Sequence, residues 1–155
     1  MALTPAAMVP GFTEAFSTPV PDSSITAIKV VETVTQYLSA GMNVAFGGFV
    51  CWGFPYAQVE AVLRTPVPDP SIFATGFTGA IMSGLAGLYT TFQIAAIPAG
   101  PVMFPMVLNA VLTMKPTSAP FAIELASAIH AQATATIITV SDPKLLGSVY
   151  AGPFF

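Results

Sequence analysis

Residues 70–114 read PSIFATGFTGAIMSGLAGLYTTFQIAAIPAGPVMFPMVLNAVLTM, 45 consecutive positions without a charged side chain. At 100° per residue, Phe77, Ile81, Leu85, Leu88 and Phe92 fall on one apolar stripe. The opposite face, Gly76, Gly79, Ser83, Gly87 and Thr90, is uniformly small. A second segment follows Pro98, Gly100 and Pro101, with a helix expected from Pro105 to Met114 and Lys115 placed at its negative end. What surrounds this stretch decides the fold.

Two surroundings compete. In lipid, residues 71–97 and 101–114 become two spans, supported by their length and absence of charge. Against this stand the many Thr, Ser and Gly residues of the first segment and Pro98, Pro101 and Pro105 in the second. No Trp/Tyr belt and no Lys/Arg cluster is present to set an orientation. In protein, a small face lets helices approach closely, and an uncharged surface suits burial between identical copies, where an unpaired charge is costly.

The rest of the chain shares this poverty of charge. Of 155 residues, 54% are hydrophobic and 7% charged, against about 25% charged in an ordinary soluble domain. Seven acids and four bases cannot coat a monomer of this size, so neighbours, lipid or uncharged polar groups must cover it. Disorder is excluded by the same composition. With a net charge of -3, and Lys29, Arg64, Lys115 and Lys144 scattered singly, no nucleic-acid partner is expected. The opening MALTPAAMVPGF has neither the basic nor the continuous apolar region of a signal peptide.

Working toward the N-terminus, Pro55 to Arg64 is expected as a short helix, and Met42 to Phe54 as a glycine-broken aromatic loop or short strand. A first long helix begins after Asp22-Ser23-Ser24, buries Ala27, Val30, Val31, Val34 and Leu38, and stops at Gly41. Residues 1–22 hold Pro5, Pro10, Pro19 and Pro21 and are expected as an extended arm, with Phe12 and Phe16 docking it onto a neighbour or onto its own domain. The tetrapeptide PVPD recurs at 19–22 and 66–69, where Asp69 can cap a helix and Pro70 can occupy its first turn.

Toward the C-terminus, Thr117-Ser118-Ala119-Pro120 announces a last helix with Phe121, Leu125, Ala128 and Ile129 on one face, and Ser127 and His130 turned away. Thr134 to Val140 is strand-like. Residues 149–155 form an apolar tail ending in Phe154-Phe155. The expected fold is therefore mainly α: a small helical bundle over 23–148 with a minor β element, an extended N-terminal arm (1–22) and an apolar C-terminal tail (149–155).

Chemistry-bearing constellations are not expected. His130, the sole histidine, has Glu124 on another face of the same helix and only Ser127 within local reach, which makes no acid–base relay. Cys51-Trp52 lacks a second Cys or a nearby His, so neither a disulfide nor zinc is supported. Glycines 76, 79, 84 and 87 are followed by no Lys-Ser/Thr and lie within an apolar period, unlike a phosphate loop. No enzyme, cofactor or metal is expected.

The run Phe121-Ala122-Ile123-Glu124-Leu125-Ala126-Ser127-Ala128-Ile129-His130, followed by a Thr/Ala/Val-rich run to Val140, resembles a pattern in virion structural proteins of tailed bacteriophages. There an Ala-rich helix precedes a Thr/Val-rich extended stretch. The resemblance implies a repeated subunit of a capsid, neck or tail, located in the virion. Its partners are then copies of itself and other structural proteins, with a membrane as the alternative location. The expected assembly contacts are Phe12 and Phe16 in the arm, Gly76, Gly79, Ser83 and Gly87 on the small face, and Phe154 and Phe155 in the tail.

Overall fold

Asp69 Oδ1 accepts a hydrogen bond from Ser71 N at 2.9 Å, which starts the helix at the head of the uncharged stretch. Pro70 sits in its first turn, where a missing N–H costs nothing. The structure is a computed structural model that describes residues 3–17, 23–40, 42–43, 47–48, 52–64, 69–88, 94–141 and 149–153. Among these, helices dominate, as the periodicity demands. They are α1 (Val9–Ser17), α2 (Ser23–Ser39), α3 (Tyr56–Arg64), α4 (Pro70–Ala86), α5 (Phe104–Thr113) and α6 (Ala119–Thr134), with a 3-10 turn over Pro5–Met8. The strands are β1 (Met42–Asn43), β2 (Gly47–Gly48), β3 (Ile94–Ile97), β4 (Ile137–Ser141) and β5 (Val149–Pro153).

Each helix packs on the next, and α6 returns to α1, so the six enclose one core. Phe12, Val31, Val34, Phe77, Ile81, Leu85, Leu125 and Ile129 are buried in it. Truncating one of the large aliphatic members to Ala costs about 2–5 kcal/mol. The apolar stripe of α4 faces inward as far as it is described, with Phe77, Ile81, Leu85 and Leu88 buried; Phe92 lies outside the described residues. Ser118 Oγ accepts from Phe121 N at 3.4 Å and caps α6.

Two antiparallel sheets accompany the helices. β1 pairs with β2, while β4 lies between β3 and β5. Ile97, Ile137 and Pro153 stand in one row across the larger sheet. Gln132 locks this sheet's approach to the helices. Buried at the end of α6, it accepts from Met103 N at 3.2 Å and donates to Ala99 O and Gly100 O at 3.1 and 3.3 Å. The segment joining β3 to α5 is thereby held on the last turns of α6.

The N-terminal segment corrects the extended arm expected over residues 1–22. Its described part is helical, and Leu3, Met8, Phe12 and Ala15 belong to the core. The prolines that argued against a helix occupy tolerated places. Pro5 opens the 3-10 turn, and Pro10 lies in the first turn of α1, where a missing N–H is tolerated. A Cβ on Gly11 would collide with Thr33 Oγ1, so glycine is what lets α1 lie directly on α2.

The uncharged stretch is also differently divided from the spans proposed at 71–97 and 101–114. The first contains most of α4 and all of β3, and the second holds α5, only ten residues long. Among the described residues, no helix is long and apolar enough to cross a membrane. The 17 residues of α4 extend about 26 Å, against about 30 Å of hydrocarbon.

Candidate functional site

The fold gives His130, the sole histidine, a structural partner. Tyr37 on α2 and His130 on α6 meet with Tyr37 Oη 2.7 Å from His130 Nδ1. Burial pushes the Tyr37 hydroxyl above the usual phenol range and lowers His130 below its ordinary value, so both stay neutral. The hydroxyl donates to Nδ1 when the imidazole proton is on Nε2 and accepts from it when the proton is on Nδ1. The expected outward-turned histidine is thus half-buried and bonded across two helices. Ser127 instead donates to Ile123 O on its own helix at 2.9 Å. Among the described residues, no three His, Cys, Asp or Glu side chains gather as metal ligands; Cys51 lies outside them.

The expected contact residues separate into three groups. Phe12 is fully buried, and Phe16 packs edge-on against Phe121 with ring centroids 5.4 Å apart. Both aromatic anchors therefore dock the N-terminal helix onto its own domain. Gly76 and Gly87 also serve internal packing. A Cβ on Gly76 would lie 2.8 Å from Val62 Cγ2, and one on Gly87 would lie 2.9 Å from Gly53 Cα. Gly79 and Ser83 stay on the outer face, with nothing within 4 Å of a Cβ on Gly79. Phe154 and Phe155 lie outside the described residues. The small face is split because α3 and residues 52–55 cover its edges and leave its middle open.

The most demanding glycine of α4 is Gly84. A Cβ there would meet Trp52 Cζ3 at 2.5 Å and Pro55 Cδ at 3.0 Å. Trp52, in turn, donates from Nε1 to Thr35 Oγ1 on α2 at 2.8 Å. Sequence periodicity groups Gly84 with Gly76, Gly79 and Gly87 as small residues suited to close helix contact but does not distinguish it, and it gives no signal for Gly11, because which glycine meets a bulky neighbour depends on the path of another segment.

Large apolar side chains gather on three outer regions. Between α2 and α3, a hollow of about 450 Å³ is lined by Ser24, Ala27, Ile28, Tyr56 and Glu60. Beside it, the exposed rings of Phe54 and Tyr56 stack at 6.2 Å, with Phe54 held at φ 41, a strained value for a residue bearing a Cβ. A second, more apolar groove of about 300 Å³ lies where α1, α3 and α5 end and α4 and α6 begin. Phe16, Leu63, Phe73, Val111, Pro116 and Phe121 line it. The same helices carry Ile72, Leu112 and Ile123, which are 56, 61 and 51% exposed. At the other end of α6, Ile97 and Ile137 face each other across the sheet at 61 and 48% exposure, with exposed Val102 in the same linker region.

Comparison with protein-family models, curated proteins and solved structures found no match to this chain.

Proposed function

We propose that this chain is a repeated structural subunit of a large protein assembly, with a virion (capsid, neck or tail) as the setting implied by the resemblance over residues 121–140. What carries the reading is the placement of apolar side chains. Even after a full core has formed, Ile72, Ile97, Leu112 and Ile123 remain more than half exposed. The chain carries only eleven charged residues with which to keep such a surface solvated. Interfaces between permanent subunits have this apolar character, like a domain core cut in two. Copies of the chain, and other structural proteins, are then its partners.

Sedimentation velocity of the purified chain, without and then with a mild non-ionic detergent, tests the proposal. Discrete large species that persist in detergent are expected. A chain that precipitates without detergent and becomes small and monodisperse with it belongs to a lipid surface instead. A monomer at every concentration in plain buffer overturns the assembly reading.

A further inference from the structure

The apolar groove and the apolar end of the sheet lie at opposite ends of α6. Phe121, at the start of α6, lines the groove. Thr136 donates to Gln132 O at 2.9 Å, which holds the start of β4 against the last turn of the same helix. From Phe121 to the end of α6 at Thr134 the axis rises about 20 Å. Pro153, the last residue of β5, pairs with Ile137 at the far end. Phe154 and Phe155 follow it directly. Two residues reach about 7 Å at full extension, far short of the groove of their own chain.

We infer that the groove receives the Phe154-Phe155 segment of a second copy, so that chains associate head to tail. The inference rests on the assembly reading above and gives it a geometry. Three features carry it. The groove is walled by Phe16, Phe73 and Phe121, with Val111 and Leu63 completing a lining suited to aromatic rings. The sheet end that would deliver the segment is itself apolar and exposed at Ile97 and Ile137. The helices whose ends form the groove also carry exposed Ile72, Leu112 and Ile123, apolar surface available to a second copy. Because the two surfaces differ, each contact leaves one free groove and one free tail, and such heterologous contacts build rings or filaments.

Two kinds of variant test this. In Phe154→Ser/Phe155→Ser the tail is lost and the groove kept. In Val111→Glu a carboxylate enters the groove and the tail is kept, with the exposed rim change Pro116→Glu as a second groove variant should Val111→Glu fail to fold. Each alone is expected to weaken self-association about thirtyfold or more in sedimentation velocity, the effect of removing a buried aromatic anchor. Mixed together, a tail variant and a groove variant retain one intact junction between them. They are expected to form 1:1 dimers and nothing larger. Wild-type-like assembly by either kind of variant, or no dimer in the mixture, overturns head-to-tail docking while leaving the assembly reading standing. Loss of assembly in the groove variants alone assigns the groove another occupant and likewise overturns it. A wild-type chain that never associates removes both.

Discussion

Tyr37 and His130, 93 positions apart in sequence, share a hydrogen bond of 2.7 Å that ties α2 to α6 at the edge of the core. Their rings also meet edge-on, with centroids 6.1 Å apart. Burial lowers the His130 pKa in the folded chain, so below the ordinary value of about 6.5 the unfolded chain binds the extra proton first. Stability is therefore complete above that value and falls as pH drops through the window beneath it. Thermal unfolding between pH 7.5 and 5 is expected to show a declining Tm. Glu14 and Asp69, whose pKa values are lowered by Lys29 and by the Ser71 hydrogen bonds, lose their contributions only at lower pH. His130→Gln should flatten the pH 5–7.5 slope while leaving assembly intact. Tyr37→Phe should lower stability by about 1 kcal/mol at neutral pH.

Gly84 and Gly79 make a controlled pair on one helix. Gly84→Ala drives a methyl into the Trp52 ring and should destabilise the fold by about 1–3 kcal/mol, despite the better helix propensity of Ala. Because Trp52 is the single tryptophan, its fluorescence reports the displacement directly. Gly79→Leu meets open space and should leave both Tm and fluorescence unchanged or slightly improved. Any loss of assembly in that variant then reads the outer face of α4 alone, and normal assembly removes Gly79 from the contact surface.

Replacing Gln132 by Leu deletes three hydrogen bonds and strands the Met103 N–H beside a buried side chain. An unsatisfied buried group costs about 1–3 kcal/mol, so the urea midpoint should fall accordingly. Gln132→Glu should be worse at neutral pH, because a carboxylate cannot donate to Ala99 O and Gly100 O. Equal stability of wild type and Gln132→Leu would contradict the role assigned to this residue.

Thr78 presents the opposite case. Its side-chain oxygen is buried within α4 without a hydrogen-bond partner. Thr78→Val keeps the shape and removes the desolvated hydroxyl, and is expected to raise stability by about 1 kcal/mol in denaturant unfolding. A decrease would mean that the hydroxyl is satisfied in solution, for example by water.

Local chemistry made much of the helical layer legible. Asp69-Pro70 begins α4 and Ser118 caps α6, because caps and first-turn prolines act within a few residues of themselves. The inward stripe of α4 followed from period alone. The arm failed for a related reason. A count of prolines over 1–22 does not say where each falls relative to a helix start, and Pro5 and Pro10 fall where they are harmless. The candidate contacts fared unevenly: Phe12 and Phe16 turned inward, Gly76 and Gly87 met other segments of the same chain, and Gly79 and Ser83 stayed outside.

Composition and period by themselves determined that the chain is mainly helical, that its core is large, and that its surface is short of charge, since each depends on residue type and near-neighbour spacing. Only the tertiary structure decided that Gly11 opens a seat for α1 on Thr33, that Gly84 receives Trp52, that Tyr37 reaches His130, and that the groove and the sheet end lie at opposite ends of α6. These are contacts between segments tens of residues apart, set by the directions in which whole helices cross. No local pattern encodes a crossing until the helices have packed.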